Sequence, residues 1–214
     1  EFRRVLFRSL LVDADLVEVV AMGEAGRQAA IAARDDLPCS VAASIAEVGT
    51  AEACLVLLEN RNAEVVPFSL DRIVERYGHL AAIRDVLLGR DDLPAATRQA
   101  LVVKLSQTLA EFVTARQWLA EDRARQIVHE ACEKATVTLA ACSREGETRP
   151  LIRHLRESGQ LTAGLLLRAL LSGNVELFEE ALADLAGMPL RRVTGIVHDR
   201  RAGFRALYQR AGLP

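Results

Sequence analysis

Aromatic residues make up only 4% of this 214-residue chain. Long β-branched runs are few, while Ala and Leu dominate. Sheets draw on both scarce classes to cover their pleated faces, so the composition excludes an all-β design and favours helix. There is no apolar run long enough for a membrane helix and no legible secretory signal, so we expect a cytoplasmic protein without a membrane partner. The four cysteines, Cys39, Cys54, Cys132 and Cys142, form no CxxC pair and sit inside helical runs. They read as small buried apolar residues in a reducing compartment, not as a disulfide frame. Charge of one sign is lacking too: a net charge of −2 offers no overall attraction to nucleic acid or to an anionic bilayer. The chain holds no phosphate-cradling glycine loop, nucleophile elbow or His-Glu-x-x-His helix, and no placeable Ser/His/Asp or Cys/His set. No catalytic residue, cofactor or metal is expected.

What the chain has is punctuation. Gly23, Gly49 and Gly78 lie 26 and 29 residues apart, and between them fall the pairs Leu37-Pro38 and Val66-Pro67, with Leu93-Pro94 beyond. Two of the turns read identically, RDDLP at 34–38 and at 90–94. A proline expels the residue before it from the α region and suits the first turn of a new helix. Each turn therefore ends one helix and starts another. Gly49 and Gly78 each follow their proline by eleven residues, which predicts three-turn helices closed by left-handed glycine caps. The apolar positions recur at helical spacing: Val41, Ile45 and Val48; Leu70, Ile73, Val74 and Tyr77; Leu101 and Leu105. The intervening helices carry Cys54, Leu55, Leu57 and Leu58, then Ile83, Val86, Leu87 and Leu88. Paired helices at this period predict an all-α fold, an α-solenoid of HEAT-like or leucine-rich-variant-like helix pairs, in which stacking buries the face that one unit alone cannot.

Residues 1–9, EFRRVLFRS, differ in composition from the Ala-rich text that follows and read as a non-native leader. The repeat block is expected over 10–106, and a short helix over 108–116 with a long one to Cys142 over 107–142. A polar linker, SREGET at 143–148, then precedes a C-terminal helical block over 149–214. The long helix should bury Ile127, Val128, Ala131, Cys132, Ala135, Leu139 and Cys142, leaving Glu130 and Glu133 in solvent. His129 and Cys132 are three residues apart, but no second His/Cys pair has ligand spacing, so a metal is not predicted there. The Asp pairs of the RDD turns read as capping and solubility groups rather than cation ligands.

The C-terminal block is more particular. LTAGLLLRALLSGNVELFEEALADLAGMPLRRVTGIVHD, the closing GFRALYQRAGLP and the earlier ACEKATVTLA resemble the bacterial family catalogued as domain of unknown function 2336. The resemblance runs from about Leu10 onward and implies an all-helical, repeat-like bacterial protein without assigned catalytic residues.

Two functions follow as expectations. Stacked helix pairs generate an extended surface that holds a peptide or another protein, and Arg72, Arg76, Arg98 and Lys104 on the second helices are candidates to line it. The alternative is nucleic-acid binding through a helix-turn-helix-like corner at Leu185-Ala186-Gly187. In such a corner the following helix would present Arg191, Arg192 and Thr194 to base edges, with Arg200 and Arg201 beyond. Leu190 to Pro214 holds six arginines and one acid, a local excess of five positive charges suited to phosphates.

Overall fold

The computed structural model describes residues 12–199 and 203–213. The leader segment, Arg200 and Arg201 lie outside the described residues. The fold is all-helical: among the described residues there are thirteen helices and no strand. In chain order they are α1 (Asp13–Met22), α2 (Ala25–Ala32), α3 (Cys39–Val48), α4 (Ala51–Glu59), α5 (Pro67–Tyr77), α6 (Ala81–Leu88) and α7 (Ala95–Ala115), then α8 (Glu121–Ala141), α9 (Thr148–Glu157), α10 (Ala163–Leu171), α11 (Val175–Ala186), α12 (Leu190–His198) and α13 (Gly203–Arg210). They fall into two compact units, Glu1–Thr108 and Leu109–Pro214.

In the first unit, alternate helices lie against one another: α1 on α3 and α3 on α5 form one column, α2 on α4 and α4 on α6 the other. These contacts are compatible with the piling of helix pairs that the repeated punctuation predicts. Between the columns are buried Leu16, Val20, Ile31, Val41, Ile45, Cys54, Leu57, Leu70, Ile73, Ile83 and Leu87. At about 1.5–3 kcal/mol for each large side chain removed from water, this shared core supplies the drive that no single hairpin has.

Helix ends register the stack. The last carbonyls of a helix have no partner within it, and here the next helix of the pile supplies one. Gln28 of α2 donates to the Val20 carbonyl of α1 at 2.8 Å and accepts from the Thr50 amide at 2.9 Å. Asn60 donates to the carbonyls of Ala32 and Arg34 at 2.9 and 2.7 Å. Arg76 of α5 reaches Ala46 and Gly49 at the end of α3, both at 2.8 Å, and the Tyr77 hydroxyl joins it on Gly49 at 2.8 Å. The repeated RDD turns are internal clamps, with Arg90 gripping both oxygens of Asp92 at 3.0 and 2.8 Å and Arg34 3.5 Å from Asp36.

Gly49 and Gly78 differ from the expected left-handed caps, since φ is −63° and −61°. Glycine is needed there for space: a Cβ would stand 2.4 Å from the Ile45 carbonyl oxygen and 2.5 Å from that of Val74. Left-handed glycine caps belong to the second unit. Gly159, Gly173 and Gly187 have φ of 70°, 78° and 61°, and the amide after each turns back to the helix, as Met188 does to Ala183 at 3.0 Å.

α7 corrects the expected short helix at 108–116. Without Gly or Pro between Pro94 and Trp118, one helix runs unbroken from Ala95 to Ala115. The second unit starts within it at Leu109, and α8 lies on α10 in that unit. The polar stretch 143–148 is thus a loop inside the unit, not a boundary, and Thr148 already begins α9. Also in this unit, α9 packs on α11, α10 on α11, and α12 and α13 on α11 and on each other. The buried face of α8 is Ala124, Cys132, Glu133, Thr136 and Val137, while Ile127, Ala131 and Cys142 are exposed. Cys54 and Cys132 are buried as expected, whereas Cys39 and Cys142 are exposed.

Candidate functional site

In the second unit, the last turns of α7 and the loop to α8 carry an exposed aromatic cluster. Leu109, Phe112 and Arg116 follow one another at spacings of three and four, so they share one face. Leu109 is 55% exposed and Phe112 48%. The helix then stops on Gln117, a non-glycine residue in the left-handed region at φ 58°. The Trp118 amide turns back to the Val113 carbonyl at 3.0 Å. That reversal swings the indole onto the same face, where it meets Phe112 edge-on with ring centres 5.8 Å apart. Trp118 remains 64% exposed. Arg116 lies over both rings, its guanidinium carbon 4.7 Å from the Phe112 centre and 5.7 Å from that of Trp118. No carboxylate pairs with Arg116 among the described residues. The stacking holds a cation in a fixed place, worth about 0.5–1 kcal/mol at an exposed site. The short helix expected over 108–116 includes Phe112 and leaves Trp118 outside it; what brings the two together is the left-handed Gln117, which that expectation does not contain.

Two buried carboxylates were also missed. Glu133, expected in solvent, is buried because its carboxylate meets the start of α10. It accepts the Thr162 hydroxyl at 2.7 Å, and His129 Nε2 and Arg168 Nε lie at 3.3 and 3.5 Å. A helix N-terminus favours an anion, and Gly164 makes room, since a Cβ there would stand 2.8 Å from Glu133 Oε1. Glu179 of α11 repeats the design: it accepts the Thr194 hydroxyl at 2.6 Å and has His198 Nδ1 at 3.2 Å. That ring nitrogen is also 3.0 Å from the Thr194 carbonyl, and Glu179 Oε1 is buried without a hydrogen bond of its own. Both clusters tie helices together. His129 and Cys132 converge on no metal-binding group, and no set of three or more potential ligands occurs among the described residues.

The sequence-derived candidates separate into several kinds. Arg76 is engaged in the stack. Arg72, on the outside of the same helix, pairs with Glu47 at 2.7 and 2.9 Å and with Glu75. Arg98 and Lys104 lie half-buried along α7; the Lys104 carbonyl accepts from Thr108. Arg191 and Arg192 are exposed on the first turn of α12, but Thr194 turns inward to Glu179. The helix-Gly-helix corner is present, with only Val193 of α12 buried. No helix among the described residues is long and apolar enough to cross a membrane.

No curated protein and no solved structure matches this chain. A family model does, that of an uncharacterised protein conserved in bacteria, domain of unknown function 2336, over residues 4–214, a span that includes most of the opening segment.

Proposed function

We propose that this chain, which belongs to the uncharacterised bacterial family domain of unknown function 2336, is a non-enzymatic, HEAT-like helical-repeat scaffold that binds another protein. The observation that carries this reading is the exposed Phe112–Arg116–Trp118 cluster. Aromatic rings and arginine are the side chains that dominate interface energetics, and truncating such an anchor typically costs about 2 kcal/mol or more of binding. A cluster already held by ring contacts loses little freedom on docking. The test is capture from extract of the source bacterium, comparing the wild-type chain with Phe112→Ser/Trp118→Ser. Both positions are largely exposed, so the far-UV spectrum should not change. A partner held by the wild type and lost by the variant supports the reading; identical captured sets overturn it at this surface.

A second reading, nucleic-acid binding, rests on Arg191 and Arg192, exposed at the start of α12 with no ion-pair partner among the described residues. Its test is retention of the whole chain on duplex DNA at low salt. Retention that falls steeply with salt and weakens in Arg191→Ala/Arg192→Ala supports it; no retention at low salt removes it.

A further inference from the structure

The cluster has a geometry that narrows what can cover it. Leu109, Phe112 and Arg116 make three successive layers at the spacing of a coiled-coil seam. The residues flanking that seam, Val113 and Ala115, are uncharged, and Ala115 is small enough to let another backbone approach. Arg116 forms the last layer. Its guanidinium is fixed over two rings and lacks a carboxylate from its own chain among the described residues. An apolar surface alone would desolvate this cation without compensation, which is costly, whereas a carboxylate set against it gains a charge-assisted hydrogen bond in a partly dry site.

We infer that this seam receives an amphipathic α-helix of a partner protein, with apolar residues at heptad spacing and a carboxylate in the layer opposite Arg116. The inference rests on the protein-binding reading above and specifies its ligand. A second copy of this chain does not meet the requirement. In a parallel pairing Arg116 faces Arg116 of the other copy. In an antiparallel pairing that matches Leu109 with Phe112, Arg116 meets an uncharged layer. The one acid on these turns of α7, Glu111, lies about 140° round the helix from Arg116 at 3.6 residues per turn. Glu121 and Asp122, at the start of α8, are 2.8 and 3.6 Å from Arg125 of their own helix.

Trp118 is the only tryptophan in the chain, so its emission reports the site directly. The probes are two synthetic 21-residue helices with Leu at the a and d positions, one carrying Glu and the other Lys in the layer that meets Arg116. Titrated into the full chain, the Glu peptide should give a saturable blue shift of Trp118, and the Lys peptide should bind about tenfold more weakly. Arg116→Glu should invert that preference. No saturable shift, or equal binding of the two peptides by the wild type, overturns the inference. So does a blue shift that grows with protein concentration alone while the chain sediments as a dimer, because the seam is then covered by a second copy. If Phe112→Ser/Trp118→Ser loses a captured partner while neither peptide binds, the scaffold reading stands and the helix inference falls. If capture ignores both substitutions, the scaffold reading at this surface fails first.

Discussion

Arg72 and Arg76 are one turn apart on α5 and alike in sequence, yet they should differ several-fold in their effect on stability. Arg76 donates to the Ala46 and Gly49 carbonyls at 2.8 Å each and to the Tyr77 hydroxyl at 3.0 Å. Ala46 has no alternative: the amide that would continue its helix, that of Thr50, is held by Gln28. Gly49 keeps the Tyr77 hydroxyl at 2.8 Å. Arg76→Met retains the aliphatic stem, removes one charge-assisted bond fully and another in part, and leaves a partly buried carbonyl orphaned. With about 1.5–3 kcal/mol for a hydrogen bond to a charged group, the loss should be about 2–3 kcal/mol. Arg72→Met breaks only exposed, solvent-screened ion pairs to Glu47 and Glu75 and should leave stability nearly unchanged. For a chain of this length about 2–4 °C of melting temperature corresponds to 1 kcal/mol. Arg76→Met should therefore melt about 4–12 °C below wild type and Arg72→Met close to it, followed by circular dichroism at 222 nm. In 1 M salt the Arg72 effect should vanish and most of the Arg76 effect should persist. Equal losses in the two variants, or an Arg76 effect that salt removes, would refute the account of how helix ends register the stack.

Other consequences are independent of that one. Gly164→Ala forces a methyl to within 2.8 Å of Glu133 Oε1 and should cost about 0.5–2 kcal/mol, because the charge-assisted Thr162 bond lost as the carboxylate moves outweighs the preference of a helix for alanine over glycine; an unchanged urea midpoint would contradict the packing described for α10. Thiol labelling at pH 8 should modify exposed Cys142 first. Cys39 should follow more slowly, because a hydrogen bond to Glu64, slight desolvation and the Glu64 charge all raise its thiol. Cys54, pushed up to about 11 by burial, and buried Cys132 should stay silent until unfolding; labelling of Cys54 alongside Cys142 would be the contrary result. Glu180 is raised above the usual carboxylate range, first by burial and then by the charge of Glu176, with Arg149 opposing. A raised acid favours the fold below its unfolded value and loses that contribution as pH climbs through the folded one. Glu180→Gln should thus raise stability at pH 7, by less than about 1 kcal/mol after screening, with the gain shrinking toward zero below about pH 4. A gain that instead grows on acidification would reverse the assignment.

Much of the first unit is legible in the sequence because its punctuation is chemical. Val66-Pro67 starts α5 through the fixed φ of proline, and Gly49 ends α3 because a side chain would strike the Ile45 carbonyl. The sequence conveys that glycine is required there but not which constraint requires it, a positive φ or a close approach, since glycine answers both. Polar burial is harder to read. Glu133 lies among apolar and charged neighbours on α8, and its burial depends on Thr162 and Gly164, about thirty residues away, arriving together. Arg76 and Arg72 pose the same difficulty, because a guanidinium aimed at a carbonyl and one aimed at solvent are the same residue in a string.

The exposed cluster marks a further limit, set by what hydrophobicity encodes. Leu101 and Leu105 stand one turn apart on α7 and both fit the core pattern of the third repeat. Leu101 is 3% exposed and Leu105 38%. The helical period runs on past Leu105 to Leu109 and Phe112, which are 55% and 48% exposed. An apolar stripe says that a face is to be removed from water; it does not say by which molecule. Two polar observations bear on that ambiguity here. Thr97, on the same helix, donates to Asp71 at 2.6 Å, so its end of α7 is closed by its own fold. Arg116, at the other end, is stacked and held without an acid among the described residues. Folded sequences keep local and global preferences in agreement, and the places where they disagree are where function is to be sought. On α7 that place is the exposed stretch that begins at Leu109.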